Sequence, residues 1–578
     1  MTDFATVPDA PRSDNPVLLA ALAADLAAVD YTVDGVTALL GEEAHQALGR
    51  DQVVPALLAL KGRDEPLATV VRLWLLAETV TASALADALP GTGPDVLTAL
   101  GLVEAAERAH GGAGPAAAPE APEAPAAPDA APEAPAAPVL LRAAVDLRPY
   151  GWAAETPGGP DTNLWVASDL GAHQRPGVLR RDHVLGIGQA SLTLAQGTIR
   201  RVVGRALDLG TGCGIQLFHL LRHAHTVVAT DVSVRALAFT RFNLLLNASA
   251  LGLADADFDP ANQDARVSLR RGSLLEPVAG ETFDLVVSNP PFVITPRHRG
   301  EDAGAQFTYR DGGLAGDAIV EALVRGLPDV LAPGGIAQML GNWEVVAEER
   351  PDGGTEALWP ARPMRWSAGG VQAWFIQREQ VSPAAYAETW LQDASQGRDR
   401  EAYADAYADY LHDFASRNVA GIGFGYALLR RPEDPGPAAT GSRFEEILYP
   451  IEQPIGPHLA AALDREQWLA ARESLRGELL VVAEDVTEER HQKPGAEHPG
   501  VILLRQGAGL RRTILLTTEL AGFVSASDGE LTVGQLIDAL ATLLERDDAE
   551  FARALEADVR NLVRDGFILP ADTAGALP

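Results

Sequence analysis

Apolar positions along this chain change period several times, and each change marks a candidate element. Between residues 16 and 108 they recur at helical spacing. Leu18, Leu19, Leu22 and Leu26 give one face, Val54, Leu57, Leu58 and Leu60 another, and Leu67, Val70, Val71, Leu73 and Leu75 a third. Thr81 is placed to N-cap a helix over 82–89 that Pro90-Gly91 stops, and Asp95 opens another that ends near Gly101. Two short helices joined by a Gly/Pro turn predict a helix-turn-helix or winged-helix module; a plain helical docking bundle fits the same pattern. Short runs at 140–142 and 164–167 read as strands. Beyond residue 204 the runs become β-branched and continuous, as at 205–209, 226–230, 266–270, 283–287 and 336–340. Such runs read as buried parallel strands. Helical stretches over 215–223 and 234–247, and one ending near Leu327, lie between them. Runs at 373–376 and 422–429 predict a closing β-pair around an amphipathic helix over about 384–417, which either roofs the site or packs outside it. Residues 436–578 read as a further small α+β domain. Its strands lie at 500–504 and 512–516, its helices at 531–537 and 559–566, and its last strand at 567–569, again in a winged-helix order.

Composition separates these blocks. In residues 110–138, Ala121-Pro122-Glu123-Ala124-Pro125-Ala126-Ala127-Pro128 recurs ten positions later. Such an Ala/Pro tract cannot pack a core and reads as a semi-rigid linker. The expected division is a helical N-terminal domain over 1–109, this linker, a central domain over 139–435 and a C-terminal domain over 436–578. The chain has 578 residues, enough for several cores, and a net charge of −33 from 79 acidic and 46 basic residues. That balance argues against a broad electrostatic grip on nucleic acid without excluding a local basic groove. Asp64, Glu65, Glu78, Asp87 and Asp95 would face a phosphate backbone badly. With the single cysteine Cys213 there is no disulfide framework and no cysteine zinc cluster, and no metal is expected. No signal peptide and no bilayer-spanning run are read, so a cytoplasmic enzyme is expected.

The candidate chemistry sits in two loops. The first, Ser288-Asn289-Pro290-Pro291-Phe292, follows the strand 283–287. Two prolines stiffen it and end the strand. Asn289 therefore lies at the carboxyl end of a strand, where open α/β sheets bind ligands. Its side-chain carbonyl and the backbone carbonyl of Pro290 are two rigidly spaced acceptors, suited to a planar NH2 group with two donors. Holding both hydrogens aims the nitrogen lone pair out of the plane, and Phe292 offers a flat face for a conjugated amide or base. A plain Pro-rich turn is the alternative. The second loop, Asp208-Leu209-Gly210-Thr211-Gly212-Cys213-Gly214, joins a strand to a helix. Its spacing differs from the Gly-x-Gly-x-x-Gly of dinucleotide folds, which brings a pyrophosphate to a helix N-terminus. Here an acidic residue precedes the glycines and suits a cationic amino acid. Asp231, at the end of the next strand, is placed to take two ribose hydroxyls.

Together these segments resemble class I S-adenosylmethionine-dependent methyltransferases of the small-domain, Asn-Pro-Pro-aromatic type, over roughly 180–345. The resemblance implies a Rossmann-like seven-stranded α/β sheet with S-adenosylmethionine as cofactor. It gives Asn289, Pro290, Pro291 and Phe292 as the catalytic loop, and Asp208, Gly210, Gly212, Gly214, Asp231 and Asn289 as cofactor contacts. The family usually has Gly-Asp where this chain has Gly272-Ser273, so Ser273 would meet adenine with a hydroxyl and no charge. The segment 182–194 resembles the one that covers the methionine end; His183 in it reads as a base or as an ordinary hydrogen-bonded histidine.

Glutamine N5-methyltransferases of release factors and guanine N2-methyltransferases of ribosomal RNA are the most similar groups. Phe292 is more frequent in the RNA group, where the protein group has Tyr. The expected acceptor is thus a planar amino or amide nitrogen of a macromolecule. The acidic surface favours protein. Arg180-Arg181, Arg200-Arg201, Arg270-Arg271 and Arg297-His298-Arg299 favour RNA, unless they pair with carboxylates. A small-molecule methyltransferase and a non-catalytic cofactor-binding scaffold remain as alternatives, with flanking domains that dock partners.

Overall fold

The computed structural model describes residues 4–106, 138–154, 159, 161–171, 174–175, 180–258, 265–297, 313–349, 355–367, 371–393, 400–433, 441–546 and 548–572. Most of the Ala/Pro tract, His298, Arg299 and the stretch 309–312 lie outside the described residues.

The centre is one twisted sheet. Its strands are β1 (Val203–Leu209), β2 (Ala224–Asp231), β3 (Val267–Arg271), β4 (Phe283–Ser288), β5 (Leu331–Val346), β6 (Gln372–Val381), β7 (Val419–Arg430) and β8 (Arg443–Glu446). The spatial order is β3-β2-β1-β4-β5-β7-β6-β8. Strands β1 to β5 run parallel, and β7 is antiparallel to both β5 and β6. Strands β1 to β7 are the seven expected, in a Rossmann-like α/β arrangement. The eighth, β8, adds to the outer edge beside β6. β5 is much longer than its apolar core at 336–340, because it pairs with β4 on one side and with β7 along nearly its whole length on the other.

Helices cover the sheet: α1 (Gln189–Gly197), α2 (Ile215–Leu220), α3 (Val234–Leu246) and α4 (Ala318–Gly326). The stretch between β6 and β7 folds as two helices, α5 (Pro383–Asp393) and α6 (Arg400–Ser416), rather than one. Nearly every residue of α3 is buried, including Arg235, Thr240 and Asn243. A helix apolar on all sides must be covered on all sides. α3 meets the sheet on one face, and on the other a hairpin of Asp146–Trp152 with Thr162–Ser168 together with the N-terminal helices. Polar side chains of α3 do the fastening. The Asn243 amide accepts from Ala167 N and donates to Ala167 O, at 2.8 and 2.9 Å. Asn247, just past the helix, does the same with Trp165, at 2.8 and 2.7 Å. One edge of the strand 162–168 therefore pairs with side-chain amides as it would with a third strand.

Residues Pro16–Leu40 are by composition long and apolar enough to cross a bilayer, contrary to the sequence reading. The chain breaks them into helices Pro16–Ala28 and Val33–Leu40 around Asp30, whose φ is 56°. Leu19, Leu22, Leu26 and Val36 are fully buried in the core they share. After helices Glu42–Leu48 and Val54–Ala59 come helix Pro66–Trp74, strand Val80–Thr81, helices Ala82–Ala88 and Gly93–Ala99, and strand Val103–Ala105. The strand after the Ala/Pro tract, Leu140–Ala143, returns to sit between the other two. This is the strand and helix order of a winged helix. The tract leaves from one strand of this sheet and re-enters at its neighbour.

The C-terminal residues repeat the plan with one change. Strand Leu479–Val482 lies between Asp528–Thr532 and Ile568–Pro570, with helices Thr518–Ser525, Val533–Leu543 and Ala549–Asp565 around them. The central strand here comes first in the chain instead of last. In both places an outer strand ends in a threonine, Thr81 or Thr532, whose hydroxyl caps the next helix. A three-stranded antiparallel sheet, Val486–His491, Val501–Gln506 and Thr513–Leu516, is inserted after the central strand.

Candidate functional site

The carboxyl ends of β1, β2 and β4 are level with one another. Leu209 is in register with Thr230 on one side and Ser288 on the other. The Ser288 hydroxyl donates to the Leu209 carbonyl at 2.8 Å, and Gly210 and Thr211 N–H both donate to the Thr230 carbonyl at 2.9 Å. These bonds place the two loops singled out by sequence against each other. A Cβ on Gly210 would lie 4.0 Å from the Asn289 carbonyl oxygen. The glycine loop turns through left-handed backbone at Gly210, Gly212 and Gly214, with φ of 78, 58 and 96°, which side-chain-bearing residues adopt only with strain. From behind, Thr240 Oγ1 donates to Gly212 O and Asn243 Nδ2 to Cys213 O, both at 2.9 Å, so α3 braces the loop.

Asp208 is fully buried. Its Oδ2 accepts from Thr211 Oγ1 at 2.7 Å and from Leu217 N at 3.0 Å. Its Oδ1 is buried with no hydrogen-bond partner among the described residues. Burial pushes its pKa up to about 7; the Thr211 and Leu217 donors pull it down by less, and the Asp231 charge adds to the rise. A carboxylate here lacks a counter-charge, which a ligand cation beside Oδ1 would supply. Asp231 Oδ2 accepts from Gly212 N at 3.0 Å and Oδ1 from Ser233 N at 2.8 Å. These bonds fix the carboxylate at the mouth of the glycine loop with acceptor capacity left on each oxygen.

Asn289 carries the second orphan acceptor: its Oδ1 is buried and has no partner among the described residues. An acceptor held dry without a donor is costly unless a ligand completes it. Pro290 is buried, and Phe292 is half-buried against the cores on both sides of the sheet. The sheet edge thus brings together Asp208, Gly210, Gly212, Gly214, Asp231, Asn289, Pro290, Pro291 and Phe292. Ser273 lies one strand farther out, beyond the end of β3, with an exposed side chain. His183 is buried 3.8 Å from Asp169, itself held by Arg235 at 2.6 and 2.7 Å. The residues fit the ligand that the sequence implies: a glycine cradle and one orphan carboxylate oxygen for a cationic amino acid, and an acidic strand end for a diol.

Several residues around the site carry no local sequence signal. Tyr386 of α5 accepts the Ile294 N–H at 2.8 Å, just beyond the Asn289 loop. Asn342 and Glu344, two apart on β5, meet Tyr386 at 3.0 Å and Arg417 at 2.6 Å. Asp317, where the chain returns to open α4, accepts from Glu344 N at 2.9 Å and from Arg362 Nε at 2.7 Å. Of the arginines noted in the sequence, Arg180 is paired with Asp182, Arg201 with Asp464 and Arg270 with Glu281.

Comparison with known proteins adds the following. Residues 28–114 match a domain of unknown function (DUF7059), and residues 170–308 match the methyltransferase small domain. The ribosomal protein uL3 glutamine methyltransferase of Bradyrhizobium diazoefficiens is 29% identical over 200 residues, 33% of this chain and 54% of that protein. The release factor glutamine methyltransferase of Moorella thermoacetica is 36% identical over 135 residues, 22% of this chain and 42% of that protein. The ribosomal RNA small subunit methyltransferase C of Idiomarina loihiensis is 32% identical over 117 residues, 20% of this chain and 29% of that protein. The chain spans about half the length, or less, of these three relatives. Both signature loops stand on one sheet edge, and the match to the methyltransferase small domain over residues 170–308 runs through them.

Proposed function

We propose that this protein is an S-adenosylmethionine-dependent N-methyltransferase acting on the side-chain amide of a glutamine in a protein. The observation that carries the reading is the buried, unpartnered Asn289 Oδ1 beside the Gly210 loop. The cofactor supplies a methyl group already activated on a sulfonium. The chain's part is to orient and dry the acceptor. Asn289 Oδ1 and the Pro290 carbonyl take the two hydrogens of the incoming NH2 group, and Phe292 bounds its plane. Asp208 would hold the ammonium of the donor, and Asp231 its ribose. When bound, the donor would supply its methyl group to the held nitrogen in exchange for the S–CH3 bond, and the surplus proton on nitrogen would leave to water. No base is needed before attack, so positioning carries the rate; in favourable cases it is worth about 7–11 kcal/mol.

A protein acceptor is supported by the net charge of −33, by relatives named for glutamine methylation, and by the engagement of Arg180, Arg201 and Arg270 with carboxylates. A nucleobase of RNA is the second reading, favoured by the relative named for ribosomal RNA and by Phe292. The test is transfer of labelled methyl from S-adenosylmethionine into ribosomal proteins, soluble proteins, RNA and small molecules of a deletion strain. Label in protein, lost with Asn289→Ala while S-adenosylhomocysteine still binds, is the expected result. Label in RNA alone ends the glutamine reading, and an active Asn289→Ala ends the role given to the loop.

A further inference from the structure

We propose that Tyr386 is a positioning residue for methyl transfer: its phenol oxygen pins the exit of the Asn289 loop and so fixes where the acceptor nitrogen is held. The inference rests on the function proposed above. The loop is short and stiff, with Pro290 and Pro291 at its centre. Its entry is fixed where the Ser288 hydroxyl donates to Leu209 O at 2.8 Å. Its exit is fixed at Ile294, whose N–H donates to Tyr386 Oη at 2.8 Å. Ile294 is 1% exposed, so without that oxygen its N–H would be buried and unpaired. A stiff segment held at both ends is fixed along its length, and Asn289 lies within it, next to the entry anchor.

Tyr386 is itself overdetermined. It is fully buried, edge-on to Phe414 at 5.7 Å and against Phe424 at the same distance. The Asn342 amide lies 3.0 Å from its oxygen. That amide is assigned with nitrogen toward the phenol, leaving Oδ1 buried without a partner. Turning the amide over lets the phenol donate to Asn342 Oδ1 while still accepting from Ile294, and the tyrosine proton gains an acceptor. Asn342 stands three residues beyond Met339, the β5 partner of Ser288. The phenol therefore ties three separate pieces, α5, the extension of β5 and the loop exit, at one atom. The base of the same helical hairpin is tied to the same face of β5 by Arg417 with Glu344. The hairpin of α5 and α6 thus acts on the acceptor side of the site, away from Asp208 and Asp231.

Tyr386→Phe keeps the ring and removes only the oxygen. Two readouts are needed. The first is independent of activity: hydrogen exchange of peptides over 289–297 in the full chain, with S-adenosylhomocysteine bound. Exchange at Ile294 is expected to rise at least tenfold, with affinity for S-adenosylhomocysteine unchanged within twofold. The second is methyl transfer into the fraction that takes label. The rate at saturating acceptor is expected to fall about 10- to 100-fold, the size of effect that misplacement by about 1 Å produces. The half-saturating concentration should change by less than threefold. Unchanged exchange overturns the proposal, as does faster exchange with an undiminished rate. A wild-type chain that labels no fraction sinks the methyltransferase reading instead, before the variant is compared.

Discussion

Asp208→Asn separates what the buried carboxylate costs the fold from what it contributes to binding. In the free chain the Asp208 carboxyl is held from an ordinary 3.8 to about 7 by burial, with one oxygen unpartnered. That gap is worth about 4 kcal/mol at about 1.4 kcal/mol for each unit of pKa. The sign follows from proton linkage. Between pH 4 and 7 the folded chain keeps a proton that the unfolded chain has lost, so stability falls as pH rises through this window. Above pH 7 the full cost of the buried charge is present. Asparagine carries no charge to bury, but its amide hydrogens meet no acceptor, which costs about 1–3 kcal/mol. The variant should therefore be more stable than wild type by about 1–3 kcal/mol at pH 8, and no more stable at pH 5. Binding should move the other way. A cationic donor ligand favours the ionised form, so wild-type affinity for S-adenosylhomocysteine should climb up to tenfold per pH unit between pH 5.5 and 7, then level off. Asp208→Asn should bind weakly, with no such slope. Urea unfolding at pH 5 and 8 and calorimetric titration across the range measure both. A variant less stable than wild type at pH 8, or a flat wild-type affinity, would refute the assignment of this carboxylate.

The other expectations concern the supports of the site. Asp231→Asn keeps the size of the side chain but removes the charge, and its single amide oxygen accepts only one of the Gly212 and Ser233 N–H groups; losing charge-assisted bonds worth about 1.5–3 kcal/mol should weaken S-adenosylhomocysteine binding about 10- to 100-fold, read by titration. Asn243→Ala strands the backbone of Ala167 and the Cys213 carbonyl; unfolding in urea should show a loss of about 2–4 kcal/mol, and a loss under 0.5 kcal/mol would show that the amide pairing contributes little.

Contiguous chemistry was legible in the chain, and long-range pairing was not. The strand before Asn289, the glycine loop and the spacing to Asp231 each occupy one short window, so residue types alone place them at strand ends. Tyr386 meets Ile294 across 92 residues, and nothing near either residue announces the bond. Asn243 on α3 and Asn247 just past its end sit four apart, a spacing that puts two amides on one face, but the strand they pair with lies some 80 residues earlier. The span 384–417 reads as one helix from the apolar spacing on either side, although Ser395-Gln396-Gly397-Arg398-Asp399, between α5 and α6, carries no apolar residue. Ser273 was legible as a departure from the family pattern, and its exposed side chain at the end of β3 fits that departure.

The alanine- and proline-rich stretch has flanks that are hydrogen-bonded neighbours, Ala105 opposite Leu141 and Val103 opposite Ala143. Its contour can therefore lengthen or shrink with little effect on anything it joins. Deleting one ten-residue copy from about 30 residues changes the entropy of closing the loop by only about 0.3 kcal/mol. Lineages are free to add or drop copies there, and an engineer can splice a reporter into the same spot.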